Sequence, residues 1–356
     1  MDACVVSGYL IIYNKKNRHM EQEERMYQVP LEMICRHDRT AEVCRAAVEE
    51  DGWQLENVPE EVKTPELCRK ALETEAGFGN DFHRGLVQHI PSPEVCMEVL
   101  KECRENNILK YWIDKVKDEE NGGFYGRVDG NDQVHPEAEK GAVMNARILW
   151  AFSAAYRVLK KPEYLEAATR AKEYVRDHFL DKEYGGIYWS VDYKGNPLDT
   201  KKQTYAIGFA IYGFSEYARA TGDQEALDIA ISLYHDIEKH AFDAKNNGYI
   251  EALTREWNPI ADMRLSDKDE NGSRTMNTHL HIIEPYTNLY RVWKTPELEK
   301  SIRNLLDIFT DKLLNKETYH LDLFFNDEWE GKRNIESYGH DIEASWLLHE
   351  TALVLG

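Results

Sequence analysis

Tyr184-Gly185-Gly186-Ile187-Tyr188-Trp189-Ser190-Val191-Asp192, closed by a turn at Lys194-Gly195-Asn196, reads as a short hairpin entered through paired glycines, and the chain repeats it. Gly122-Gly123-Phe124-Tyr125 stands about 63 residues before it and Gly248-Tyr249-Ile250 about 63 after, and Tyr319-His320 running into Leu321-Asp322-Leu323-Phe324-Phe325 continues the series less perfectly. Between hairpins the apolar residues recur at helical spacing, over 142–159, 161–178, 200–221, 223–240, 273–293, 295–313 and 334–355. Lys161-Pro162-Glu163, Thr221-Gly222-Asp223 and Thr295-Pro296-Glu297 punctuate the helix-to-helix turns. A repeating helix, turn, helix, hairpin unit predicts an all-α fold, an α/α toroid with short β-hairpins between its helix pairs.

Composition narrows the function classes. With 44 Lys plus Arg against 64 Asp plus Glu, the 356 residues carry a net charge of 44 − 64 = −20, which repels phosphate backbones and anionic headgroups. Neither nucleic acid nor a membrane is therefore expected as a partner. A hydrophobic content of 42% is too high for a disordered chain, and no run approaches the length of a membrane span. Asp2 stands where a secretion signal carries positive charge, so the chain reads as cytoplasmic.

All six cysteines (Cys4, Cys35, Cys44, Cys68, Cys96 and Cys103) precede residue 104, which marks a compositional boundary there. They read as buried reduced thiols rather than bridges or a metal site. Thr40-Ala41-Glu42-Val43-Cys44, Thr64-Pro65-Glu66-Leu67-Cys68 and Ser92-Pro93-Glu94-Val95-Cys96 each read as a helix start, with a capping hydroxyl, a first-turn acid and a Cys on the inward face. Val29-Pro30, Val58-Pro59 and Ile90-Pro91 precede them. The chain thus divides into an amino-terminal segment 1–26, a helical-repeat module 27–104 that reads as an interaction or capping array, and the toroid region 105–356.

In each helix pair the helix after the hairpin is the less charged and reads as the inner wall. Its polar exceptions fall within about two turns of its start: Arg147, Tyr205, Asn277 with His281 and Glu284, and His340 with Glu343. Asn277 and His281 are i, i+4, His281 and Glu284 are i, i+3, and His340, Glu343 and Trp346 step by three, so each set shares a face. A histidine beside a carboxylate suits proton abstraction and delivery near neutrality. Trp346 offers a face for a sugar ring and Arg147 a cation for a developing oxyanion. Metal binding is disfavoured, because the bundle motif is Glu-x-x-His, reversed here, and His279 and His281 do not share a face. A glycosidase would use Glu284 and Glu343 as paired acids, but each already has a histidine neighbour.

Asp118-Glu119-Glu120-Asn121-Gly122-Gly123-Phe124-Tyr125-Gly126, Asn145-Ala146-Arg147-Ile148-Leu149-Trp150, the 184–192 hairpin, Thr275-Met276-Asn277-Thr278-His279-Leu280-His281 and Ser337-Tyr338-Gly339-His340-Asp341-Ile342-Glu343-Ala344-Ser345-Trp346 resemble cellobiose 2-epimerases of the N-acylglucosamine 2-epimerase superfamily. The resemblance runs from about residue 105 to the last. It implies a cytoplasmic, cofactor-free isomerase on an (α/α)6 barrel that opens a reducing-end glucose, removes its C2 proton and returns one to the opposite face. By position His340 resembles a catalytic acid/base with Glu343 as its partner. His281 and Asn277 resemble the residues of ring opening and substrate contact, and Arg147, Tyr205, Glu284 and Trp346 sugar-site residues. The implied partner is a small carbohydrate, cellobiose or a related reducing-end glucoside. Alternatives are a sugar-binding or interaction protein without turnover, an aldose-ketose isomerase, or a toroid glycosidase.

Three departures from the family pattern carry expectations. Pro285, where the family has Ala, predicts a kink that shifts His281, and Ile207 replaces a polar amide. Residues 105–356 hold about four repeats of 63 where six pairs are needed, which predicts a carboxy-terminally truncated toroid with an exposed inner edge, prone to self-association and weak in catalysis.

Overall fold

The structure, a computed structural model, describes residues 2–6, 9–13, 26–28, 31–34, 39–75, 89, 97, 101, 103–332 and 335–356. Its contacts divide the chain into Met1–Asp114 and Lys115–Gly356.

The first unit opens with a three-stranded antiparallel sheet, β1 (Asp2–Val6), β2 (Tyr9–Tyr13) and β3 (Met26–Gln28), in that order. The helical periodicity of the rest gives no hint of it. Next come α1 (Ala41–Glu50) and α2 (Pro65–Glu75), and α3 (Lys110–Asp114) follows a π-helical turn at Cys103–Leu109. Thr40 and Thr64 accept hydrogen bonds from the Val43 and Leu67 amides, as expected of capping hydroxyls. Cys44 and Cys68 are free thiols in one core with Leu31, Val48, Leu55 and Ala71. Burial raises the Cys44 thiol pKa. Val29-Pro30, Cys35, Ile90-Pro91 and the helix start at 92–96 lie outside the described residues.

The second unit runs β4 (Lys140–Gly141), α4 (Ala142–Leu159), α5 (Pro162–Tyr174), β5 (Ser190–Val191), β6 (Pro197–Asp199), β7 (Lys202–Gln203), α6 (Thr204–Thr221), α7 (Gln224–His240), β8 (Phe242–Asp243), β9 (Gly248–Tyr249), β10 (Ala252–Leu253), β11 (Arg274–Thr275), α8 (Met276–Tyr290), α9 (Pro296–Ile308), β12 (Phe324–Phe325) and α10 (Tyr338–Leu355). The helices α4, α6, α8 and α10 pack successively as an inner wall, and α5, α7 and α9 lie against them outside. Among the described residues this makes three helix pairs and a seventh helix of an α/α toroid that does not close. Antiparallel strands β4–β5–β6, β7–β10, β8–β9 and β11–β12 link successive helix pairs at the ends where the inner helices begin.

The repeat has a physical basis. At the head of each hairpin an Asp, or finally Asn315, accepts two turn amides: Asp118 from Glu120 and Asn121, Asp181 from Glu183 and Tyr184, Asp243 from Lys245 and Asn246, Asn315 from Glu317 and Thr318. In three of them the other carboxylate oxygen takes a cation from the strand before an inner helix: Lys140 on Asp118 and Lys202 on Asp181, both at 2.8 Å, and Arg274 on Asp243. The lysine–aspartate pairs are fully buried, so each charge depends on its partner. The glycine pairs follow with φ of 80° and 62° at Gly122 and Gly123 and 79° and 67° at Gly185 and Gly186. Asn247 takes that conformation in the third hairpin at φ 54°, which is why its motif reads as a single glycine. The third and fourth repeats are each latched to the hairpin before by a tryptophan: the Trp257 indole donates to Tyr184 O at 2.7 Å and the Trp329 indole to Asn246 O at 2.8 Å. Among the described residues no helix is long and apolar enough to cross a membrane.

Candidate active site

The candidate residues ride on the inner helices. α8 is buried almost throughout and carries Pro285 in its interior. Proline has no N–H, so the carbonyl of residue 281 loses its helical donor. His281 leaves helical geometry at φ −89°, ψ 17°. Its carbonyl leans against α6 at Gly208, where a β-carbon would stand 2.2 Å from that oxygen. The expected kink is therefore present, and Gly208 is what accommodates it.

The kink leaves the His281 ring within a polar cluster. Its Nδ1 is 2.9 Å from Glu284 Oε2 and its Nε2 is 3.9 Å from Glu343 Oε1 on α10. Tyr205 meets the ring edge-on at 5.0 Å and Phe209 tilts against it at 4.8 Å. Arg147 lies over Phe209 at 4.3 Å and donates to the Tyr205 hydroxyl at 3.4 Å. Burial raises the Tyr205 pKa, with Arg147 opposing and Glu343 adding to the rise, so the phenol stays protonated. The Tyr212 pKa is held well above its ordinary value by burial and by the negative charge of Glu284. Arg147, Tyr205, His281, Glu284 and Glu343, from four successive inner helices, thus form one contiguous group.

Asn277 and His340 sit together a short way along the same wall, lining a cavity of about 50 Å³ with Glu251, Thr275 and Phe324. The His340 Nδ1 is buried without a hydrogen-bond partner among the described residues. The long loop after β10 supplies Arg264 and Asp269 to this cavity. It is anchored by Gln203, whose amide donates to Met263 O and Arg264 O. Trp346 is not brought into either group: it is 52% exposed, on the face of α10 that also exposes Tyr338, Ile342 and Leu353. Ile207 is wholly buried in the α6 core.

Sequence reasoning missed Phe209, Tyr212, Gly208 and Glu251. The first three hide in an apolar helix where only a contact distinguishes them from core. Glu251 did carry a signal, as the single acid in Gly248-Tyr249-Ile250-Glu251-Ala252-Leu253. Among the described residues no group of three or more His, Cys, Asp or Glu side chains is placed so that it could hold a metal ion. Both nitrogens of His279 are spent on the backbone, Nδ1–H donating to Thr275 O at 2.7 Å and Nε2 accepting from Tyr249 N–H at 3.0 Å.

A histidine, His281, set between two carboxylates, Glu284 and Glu343, on the inner helices of an α/α toroid is an arrangement suited to acid–base chemistry. The sequence profile of the N-acylglucosamine 2-epimerase (GlcNAc 2-epimerase) family matches residues 123–355. The chain is 61% identical over 263 residues to a cellobiose 2-epimerase of Bacteroides fragilis, covering 74% of this chain and 67% of that protein. It is 41% identical to one of Ruminococcus albus, covering 72% and 66%. The solved cellobiose 2-epimerase of Bacillus thermoamylovorans superimposes with a TM-score of 0.70 at 47% identity, over 73% of this chain and 66% of that one. The chain belongs to the N-acylglucosamine 2-epimerase family and carries the toroid fold of its cellobiose 2-epimerases. The matched stretch spans about two thirds of these relatives' length.

Proposed function

We propose that the chain is a sugar 2-epimerase of the cellobiose 2-epimerase type, an isomerase that inverts C2 of a reducing-end glucose without a cofactor. The observation that carries this is His281, hydrogen-bonded to Glu284, facing Glu343 and flanked by Tyr205 and Arg147. A carboxylate on Nδ1 fixes the imidazole tautomer and leaves Nε2 to exchange a proton with substrate. In this reading the His281–Glu284 pair opens the sugar ring by moving a proton between O5 and O1. His340, with Glu343 one turn on, takes the C2 proton, and the electron pair moves into a cis-enediolate. Arg147 and the protonated Tyr205 stabilise the oxyanion. Inversion follows when a proton reaches the opposite face of C2, and His281, on the neighbouring helix, is the gathered group suited to deliver it. Asn277 orients the sugar hydroxyls.

The likeness to cellobiose 2-epimerases and the family's name support a sugar substrate, and the acidic chain fits a neutral one better than a phosphosugar. The test is incubation of the 356-residue chain with cellobiose in deuterated water. Deuterium must enter C2 as glucosyl-mannose accumulates. A protein that binds cellobiose but leaves C2 unlabelled is a binding protein and refutes the proposal.

A further inference from the structure

Glu251 lies outside the acid–base group and is 1% exposed, yet its contacts join the starts of two of the four helices that deliver that group. Its Oε2 accepts from the Thr275 hydroxyl at 2.8 Å and its Oε1 from the Thr278 hydroxyl at 2.5 Å. Thr275 is the N-cap of α8, accepting the Thr278 amide at 3.0 Å, and Asn277 stands between the two threonines. The Glu251 backbone accepts from the Thr204 amide, at the start of α6 one residue before Tyr205, and donates to Ser273 O beside β11. The Thr204 hydroxyl donates to Ile250 O at 2.6 Å. One residue thus ties the entrance of α6 to the entrance of α8 and also forms part of the cavity wall beside Asn277 and His340.

A fully buried carboxyl is a costly way to join two helices unless their relative placement matters; further down, neutral groups serve, with Asn288 donating to the Ser215 hydroxyl at 2.9 Å. We propose that Glu251 is a positioning residue for the 2-epimerase chemistry, setting through Thr275 and Thr278 where α8 presents Asn277 and His281. Burial, against which the two threonine bonds work, raises its pKa to about 7, so its bonding rests on a balance that small changes disturb. The inference rests on the 2-epimerase reading for its catalytic consequence and on the geometry alone for its structural one.

The test compares Glu251→Gln, Thr278→Val and Thr278→Ser in the full chain, measuring C2 hydrogen exchange from cellobiose and the His281 ring resonances by NMR. Misplacing reacting groups by tenths of an ångström lowers turnover rather than affinity, so E251Q and T278V are expected to lose about tenfold in kcat with KM held within about twofold. T278S, which keeps the hydroxyl, is expected to recover most of that loss. The His281 resonances are expected to move in T278V and return in T278S. If E251Q fails to fold, T278V decides. A folded T278V with unchanged kcat and unchanged His281 resonances overturns the proposal, as does a loss that T278S does not recover. If the wild-type chain exchanges no C2 hydrogen, the epimerase reading falls by itself, and the positioning role stands or falls on the His281 resonances of T278V.

Discussion

Gly208→Ala is the sharpest perturbation available to this site, because the added methyl would stand 2.2 Å from the carbonyl oxygen of His281. Ordinary contact requires roughly 3.4 Å or more, so α6 and α8 must part by about 1 Å, and the atom in the way is backbone that no rotamer change can move. Overpacking of this kind costs about 1–3 kcal/mol, and a main-chain obstacle puts the cost near the top of that range. Alanine recovers about 1 kcal/mol of helix propensity over glycine, which leaves a net loss of about 2 kcal/mol. For a unit of this size that corresponds to a fall of roughly 4–8 °C in melting temperature. Gly213→Ala on the same helix is the internal control. Its methyl would lie 2.8 Å from Ala146 O, a milder conflict and one that does not involve the His281 carbonyl, so it is expected to melt within about 3 °C of wild type. The assay is a thermal melt of both variants beside C2 hydrogen exchange from cellobiose, in which G208A alone should also lose more than about tenfold in rate because His281 is displaced. A G208A protein that melts no lower than G213A and exchanges at the wild-type rate would refute the claim that this close approach sets the kink.

Asp181→Asn should be the most damaging exchange in the hairpin array, by about 3–5 kcal/mol in denaturant unfolding, because it leaves Lys202 buried without its counter-charge. Burial works against the Asp181 carboxylate, yet the bonds from Arg255 and Lys202 hold it well below the usual range, so no protonation within the working pH range would lessen the loss. His279 is driven down to about 4 by burial, so it stabilises the fold fully above its ordinary value near 6.5 and that contribution is lost as pH falls from there through about 4. The difference in unfolding free energy between wild type and His279→Gln should therefore shrink by roughly 3 kcal/mol over that interval, while Glu251, raised to about 7, acts in the opposite direction and cancels in the comparison. A flat difference would show that His279 takes up a proton as readily in the fold as in the unfolded chain. Finally, Glu284→Gln should lower C2 exchange by about a hundredfold while leaving cellobiose binding within about threefold, since it removes the partner that fixes the His281 tautomer.

The seven helices of the toroid region were legible from the sequence because their apolar stripes repeat at helical spacing and because proline and glycine mark their ends. The hairpins were legible because left-handed turns demand glycine or asparagine, as at Gly185, Gly186 and Asn247. His281, Glu284 and Glu343 could be singled out as polar residues on otherwise apolar inner helices, and Pro285 announced its kink by lacking an N–H. Those are local properties, carried by one residue and its near neighbours. Only the tertiary structure decided that the His281 carbonyl is received at Gly208, that Phe209 lies beneath Arg147, and that Glu251 joins the starts of α6 and α8, since each depends on which atoms of distant segments meet. The same holds for Trp346, whose spacing from His340 and Glu343 suggested a shared face but which stands 52% exposed. Three steps of 100° carry a side chain 60° short of a full turn, so two such steps from His340 take Trp346 off the face that His340 and Glu343 turn toward the wall.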